Sequence, residues 1–137
     1  MTFRSQQYLR PFVYIWVLPG TLIGLALTAL ALASGGRARI VDGVLESHGG
    51  LATLVLKRGN RWVGSIAAIT LGHVVVGCDE EMLDRTRRHE RVHVSQYERW
   101  GPFFIPAYFA CSVWCSLKGT NPYRDNPFEV EAYAVDE

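Results

Sequence analysis

Two histidines and a glutamate near position 90 have the types and spacing of a metal-dependent hydrolytic site. Residues 89–93 read His-Glu-Arg-Val-His, so His89 and His93 lie four positions apart and Glu90 directly follows the first of them. On an α-helix, residues i and i+4 share one face, so both imidazoles can reach one metal ion. Glu90 would then lie beside that face, where a general base for a metal-bound water is needed. Because zinc lowers the pKa of its bound water to about 7, the spacing predicts zinc-dependent hydrolysis at neutral pH.

The end of the chain offers a third protein ligand, which catalytic zinc normally needs besides its water. Asn126 and Pro127 are typical of the first residues of a helix, and Glu129 and Glu131 are the candidate ligands on that helix. Glu129 has two interpretations from its position alone. It could bind the metal, or its carboxylate could accept from the amide of Asn126 in a capping box.

A His-Glu-x-x-His helix followed by a second helix with a spaced glutamate resembles the gluzincin zinc metallopeptidases, which include the small minigluzincins. In their Glu-x-x-Ala-Asp pattern, the glutamate is a metal ligand and the aspartate four residues later orients a ligating histidine. This chain reads Glu-Val-Glu-Ala-Tyr from Glu129, so Tyr133 stands where the pattern has the aspartate. The resemblance implies that Zn²⁺ is held by His89, His93 and Glu129, and that Glu90 is the catalytic base of a peptidase.

The same two segments also resemble an uncharacterised family of small bacterial membrane proteins. The resemblance extends over residues 89–102, which read HERVHVSQYERWGP, and over residues 126–133, which read NPFEVEAY. It implies a location in the bacterial inner membrane and names no substrate.

The flanks of the motif place it on one long helix. Asp79 suits the N-cap position, Glu80 and Glu81 put negative charge in the first turn, and Gly101 followed by Pro102 is a strong stop. No glycine or proline lies between them. The alternative is a polar surface helix rich in arginine and glutamate, in which the motif is fortuitous.

The N-terminal segment has the composition of a membrane helix. No charged residue lies from Phe12 to Ala33, and a helix of that length extends roughly 33 Å, enough to cross a bilayer core. We therefore expect residues 1–36 to be a tail and single-pass anchor, and residues 37–137 to be the zincin-like domain. A cleaved signal peptide is the alternative, because Ala31-Leu32-Ala33 resembles a cleavage site. Arginines on both sides of the span leave open which side of the membrane the domain faces.

Between the anchor and the motif helix, the sequence predicts a small antiparallel sheet. Its strands are expected at 38–46, with a bulge at Gly43, at 51–56 and at 67–76. The last strand would border the cleft and could pair with an extended substrate. It contains His73, which could be a structural residue or contact the substrate.

After the motif helix, an apolar helix is expected at 102–117 and a final helix from Asn126. The apolar helix could be buried in the core or dip into the membrane surface. The predicted fold is therefore α+β: an N-terminal transmembrane helix, a small antiparallel sheet, the active-site helix and two further helices. Tyr123 and Arg124, in the loop before the last helix, could reach the site.

Composition limits the function classes. The chain has 137 residues and a net charge of +1, and it contains no long basic run, so nothing indicates nucleic-acid binding. Its three cysteines show no CxxC spacing, which argues against a disulfide framework or a cysteine zinc site. The expected function is a membrane-anchored zinc metallopeptidase acting on a peptide or protein substrate. The alternative is a zinc-binding, non-catalytic structural or assembly subunit of a membrane complex.

Overall fold

The computed structural model describes the backbone of residues 3–58 and 67–135, and side chains from residue 11 onward within those ranges. The fold is α+β, as predicted: an apolar N-terminal helix precedes a small sheet and further helices. The elements are α1 (Phe3–Ala33), β1 (Arg37–Val41), β2 (Val44–His48), α2 (Gly50–Arg58), β3 (Ala68–Leu71), β4 (Val74–Gly77), α3 (Glu80–Trp100), α4 (Phe104–Leu117) and α5 (Pro127–Ala134), with a 3₁₀ turn (Gly101–Phe103) between α3 and α4.

The sheet is mixed, so the expectation of an antiparallel sheet was wrong. Its strand order is β1-β2-β4-β3, and β2 pairs with β4 in parallel while the other two pairings are antiparallel. The parallel pairing is made possible by α2, which lies between the two hairpins in sequence and packs against α1 and β4 through its buried residues Ala52 and Leu56. β3 lies at one edge of the sheet, next to α3.

Two expected strands are hairpins. The strand predicted at 38–46 divides into β1 and β2, because Asp42 and Gly43 both have positive φ (51° and 79°) and Val41 pairs with Val44. This is the two-residue turn that an Asp-Gly pair favours, not a bulge. The strand predicted at 67–76 divides in the same way into β3 and β4 around Gly72 (φ 65°). His73 therefore lies in a turn and not within a strand.

The prediction of a strand at 51–56 is wrong, because this segment forms helix α2. Ala52 and Leu56 are buried four residues apart, which is helical spacing. Leu51, Leu54 and Val55 remain exposed. A short apolar run of this length fits either element, and here packing against α1 decides for the helix.

The C-terminal helices agree with the prediction. The Asp79 side chain caps α3 by accepting from the amide of Met82, and α3 ends at Trp100 with Gly101 as its C-cap. α4 follows as expected, and the Asn126 side chain caps α5 by accepting from the amide of Phe128. These caps fix where the two site-bearing helices, α3 and α5, begin.

Helix α1 has the length and composition to cross a membrane over Pro11–Ala33. It also packs along the sheet with a stripe of small or short residues, namely Val17, Gly20, Gly24, Thr28 and Ala31, all of them buried. The backbone of α1 lies very close to the sheet, since a Cβ atom added at Gly24 would lie 2.6 Å from Cβ of Val74. The Thr28 hydroxyl hydrogen bonds to that of Ser47 at 2.9 Å, so α1 is joined to β2 as well as to β4.

Candidate metal centre

The predicted ligand set converges in the structure. His89 Nε2 lies 3.1 Å from Glu129 Oε2, and His93 Nε2 lies 3.2 Å from both oxygens of the same carboxylate. One ligand atom from each of the three residues lies within 4.8 Å of the others, and all three side chains are buried. Among the described residues, this is the group of histidine, cysteine and acidic side chains that could hold a metal ion.

These distances fit a shared zinc ion. Two atoms bound to one tetrahedral zinc at the usual 2.0–2.1 Å lie about 3.3 Å apart. The observed separations of 3.1 and 3.2 Å are close to that value, and they also suit charged hydrogen bonds. Each imidazole nitrogen directed at this buried carboxylate must either donate an N–H to it or share a metal ion with it.

The hydrogen bonds of Gln96 fix which ring nitrogen of His93 faces Glu129. The side-chain amide nitrogen of Gln96 donates to the carbonyl of Phe128 at 2.9 Å, so its oxygen must face the other way. That oxygen lies 2.8 Å from Nδ1 of His93 and accepts a hydrogen bond from it. Nδ1 therefore carries a proton, and Nε2 is the ring atom that faces Glu129 and that would bind a metal. Such an orienting partner is typical of metal-bound histidines.

The electrostatics of the site favour a positive charge beside Glu129. Burial alone would lower the pKa of His93, but its hydrogen bond to Glu129 and the charge of Glu90 raise it to about 9. Burial alone would raise the pKa of Glu129, but hydrogen bonds with both histidines lower it to about 2. The two shifts have one cause: the carboxylate of Glu129 and a positive charge on His93 stabilise each other.

Glu129 does not act as a capping residue. Its carboxylate accepts a hydrogen bond from the Tyr108 hydroxyl at 2.7 Å, in addition to its contacts with the histidines. The amide of Asn126, which a capping box would occupy, donates to the carbonyl of Tyr123. Glu131, the second candidate, points elsewhere and pairs with Arg99 on the protein surface.

Glu90 lies between the ligand group and the edge strand β3. Its carboxylate accepts a hydrogen bond from the Thr70 hydroxyl at 2.7 Å, and its side chain is buried. Burial raises the pKa of Glu90 above the ordinary value, against the lowering effect of the nearby histidines and Thr70. A carboxylate with a raised pKa is better suited to accept and return a proton near neutral pH.

A cleft of about 730 Å³ gives access to these groups. Strand β3 lines one side, α4 and the loop before α5 line another, and the four predicted site residues lie between them. Tyr123 and Arg124, which the sequence put within possible reach of the site, both line the cleft. The hydroxyl of Tyr123 lies 2.9 Å from that of Tyr133, and the Arg124 guanidinium lies 4.5 Å from the centre of the Tyr133 ring.

Tyr133 contacts His89 through its ring. The two ring centres are 4.4 Å apart and the ring planes are inclined at 65°, while the hydroxyl of Tyr133 is directed to Tyr123. The position that carries an aspartate in the gluzincin pattern therefore packs against the histidine edge to face. Tyr133 helps to fix the orientation of the His89 ring by packing.

His73 lies away from the cleft. Its Nε2 is 3.0 Å from Glu98 Oε1, and its ring packs against that of Tyr14 in α1 with the ring centres 4.2 Å apart. Its backbone amide donates to the Thr21 hydroxyl. These contacts join the β3–β4 turn to α1 and α3, and His73 is not among the residues that line the cleft described above.

Three residues of the site were not predicted as such. Gln96 had a usable signal, because it lies three positions after His93 on the same helical face. Thr70 and Tyr108 had none, since β3 and α4 bring them to the site through tertiary packing.

Substituting Gln96 with leucine is expected to weaken zinc binding by about 10–100-fold. Leucine cannot accept the proton of His93 Nδ1, so the ring is free to rotate and to place its proton on the metal-binding nitrogen. Zinc affinity is measured by competition with a chelating dye. Ser95→Ala, at the exposed neighbouring position, is the control and should bind like the parent. Equal affinity of the Gln96→Leu variant and the parent would contradict the orienting role.

Comparison with protein-family models, curated proteins and solved structures gave no match for this chain.

Proposed function

We propose that the chain is a membrane-attached zinc metallopeptidase. The observation that carries the proposal is the convergence of His89, His93 and Glu129 within one cleft, with the buried carboxylate of Glu90 beside them. Each feature has a separate structural cause: α3 presents both histidines and Glu90, and α5 brings in Glu129. A fortuitous motif on a polar surface helix would not bury all four side chains.

The residues have distinct roles in the proposed reaction. When bound, zinc would acidify a water molecule and polarise the scissile carbonyl. Glu90 accepts a proton from the attacking water and delivers it to the nitrogen of the leaving amine. The Thr70 hydroxyl directs the Glu90 carboxylate by a hydrogen bond to one of its oxygens. The three residues that would hold the ion are themselves held in place by Gln96, Tyr108 and Tyr133.

Strand β3 supports a peptide as the substrate. It is an edge strand that pairs with β4 on one side and lines the cleft with residues 68–71. An extended peptide can add to such an edge through backbone hydrogen bonds, which recognise a polypeptide without regard to its side chains. The scissile bond would then lie next to Glu90, which is hydrogen bonded to Thr70 of the same strand.

The test begins with metal analysis of full-length protein purified without chelator. We expect about one zinc per chain, in line with a single three-residue ligand set, and cleavage of an unstructured protein substrate such as casein. Removal of zinc with a chelator should abolish cleavage, and added zinc should restore it.

The outcomes separate three functions. Zinc with chelator-sensitive cleavage supports the peptidase. Zinc without cleavage of any peptide favours a non-catalytic subunit of a membrane complex, a role that the replacement of the orienting aspartate by Tyr133 would permit. Absence of zinc even after dialysis against zinc salts contradicts both functions.

A further inference from the structure

The two faces of α1 differ in a way that is unusual for a helix packed on a soluble domain. The face against the sheet carries the small stripe described above, from Val17 to Ala31. The opposite face carries exposed large aliphatic residues, namely Ile15, Leu18, Leu22, Ile23, Leu25, Leu30 and Leu32. Soluble helices normally place their large apolar residues inward. An exposed apolar face about 25 Å long indicates contact with an apolar environment.

The packing of α1 argues that this helix does not cross the bilayer. Thr21 and Thr28 lie in the middle of the apolar segment, yet both hydrogen bond to the sheet region, through His73 and Ser47. If α1 spanned the membrane, these parts of the domain would lie at the depth of the hydrocarbon core. Open strand edges and charged groups are strongly unfavourable there.

Charged groups do lie at that level of α1. His73 contacts Glu98, which is half exposed. Ser47 is adjacent to Glu46, whose carboxylate pairs with three arginines, namely Arg39, Arg87 and Arg91. A helix that carries this domain along its length can contact lipid only with its outer face.

The chemistry of the outer face fits lipid better than a second protein. Protein interfaces make about one hydrogen bond per 100–200 Å². The exposed residues from Leu18 to Leu32 are all leucine, isoleucine, alanine or proline, so their side chains offer no hydrogen bond to a partner. Near the N-terminal end, the rings of Trp16 and Phe103 lie 6.1 Å apart, and both are exposed, as is Trp100. Aromatic residues at the margin of an aliphatic face are typical of the boundary between lipid and water.

We propose that α1 lies along the surface of a lipid bilayer, with its outer face in the interfacial layer, and does not cross it. Both ends of α1 and the whole domain then lie on one side of the membrane. This deepens the membrane attachment of the proposed function and does not depend on the peptidase chemistry. It replaces the single-pass anchor expected from hydropathy with a monotopic attachment.

The sidedness of the two ends of α1 tests the proposal. Single cysteines are introduced by Ser5→Cys and, separately, by Ala38→Cys in a full-length chain whose Cys78, Cys111 and Cys115 are replaced by alanine. Spheroplasts of cells expressing each variant are treated with a membrane-impermeant maleimide before and after lysis. We expect both positions to label from the same side. Labelling from opposite sides of the membrane would overturn the proposal.

A second measurement keeps the native cysteines and uses purified protein with phosphatidylcholine vesicles. Leu22→Glu places a charge on the outer face and should weaken vesicle binding by about tenfold or more. Ser95→Glu adds the same charge at an exposed position on α3 and should bind like the parent. Equal binding by the two variants overturns the proposal, as does a parent that stays off vesicles and forms a dimer through this face. The peptidase proposal is tested separately, by cleavage assays. A negative cleavage assay would leave the labelling and vesicle-binding results unchanged.

Discussion

Glu90→Gln should retain zinc and lose peptide hydrolysis. Glutamine keeps the size of the side chain and can still hydrogen bond to Thr70, but it cannot accept a proton from the attacking water. Removal of a general base lowers the rate by about 10²–10⁴-fold or more. The measurement is kcat/KM on a fluorogenic peptide, together with the zinc content of the same preparation.

The matched control is Glu81→Gln, which makes the same chemical change at an exposed position on α3. It should leave both activity and zinc content unchanged. Thr70→Val gives an intermediate test, because it removes the hydrogen bond to Glu90 and leaves the carboxylate in place. We expect it to lower kcat more than it raises KM. A Glu90→Gln variant as active as the parent would show that another group is the base.

The site can be predicted from the sequence to the extent that it lies on single helices. Spacing alone puts His89 and His93 on one face of α3, because the helical period is a local property of the backbone. The spacing of residues along the sequence does not predict that α3 and α5 pack against each other. Glu129 has two interpretations from its position in the first turn, and the resemblance to gluzincins favours the ligand. The structure places its carboxylate on both histidines.

The residues that support the ligands are less predictable. Tyr108 reaches Glu129 from α4, and Thr70 reaches Glu90 from β3. Neither has a fixed sequence distance from the group it contacts, so no spacing rule identifies it. Gln96 is different, because its position three residues after His93 puts it on the same helical face, within reach of the ring that it orients.

Helices are predicted better than strands here, for a physical reason. α3 and α5 begin at side-chain caps, Asp79 and Asn126, which leave a local signal. The hairpins depend on turns of two residues inside apolar runs. Asp42-Gly43 is a recognised hairpin signal, but the same residues can also be interpreted as a bulge within one strand. Gly72-His73 is a weaker hairpin signal of the same kind.

Hydropathy identifies α1 but not its environment. A lipid-facing helix and a helix packed on a sheet can have the same mean hydropathy, since the index ignores which residues face inward. In α1 the residues that face the sheet are small or short. Gly24, for example, lets the helix backbone lie close to Val74. The difference between spanning a bilayer and lying on it is in the packing of the two faces, which appears only in three dimensions.

Glu129→Gln should lower zinc affinity by more than the roughly 10–100-fold expected for the loss of an orienting residue. The amide is neutral and a poor zinc ligand, so only His89 and His93 would remain to hold the ion. Glutamine can still form a capping box, so the substitution preserves any capping role and removes the ligand alone. Affinity is measured by dye competition, and the unfolding midpoint of the metal-free protein checks that the variant folds.

Glu131→Gln is the matched control, because Glu131 lies on the same helix and pairs with Arg99 at the surface. It should bind zinc like the parent, since its carboxylate lies outside the ligand group. Glu129 and Glu131 have the same chemistry and lie two residues apart on α5. The expected difference in zinc affinity between the two variants follows from the different directions in which the two side chains point. If Glu129→Gln binds zinc as tightly as Glu131→Gln, the carboxylate of Glu129 is not a ligand. The remaining pair of histidines would then be too few for the proposed hydrolytic centre.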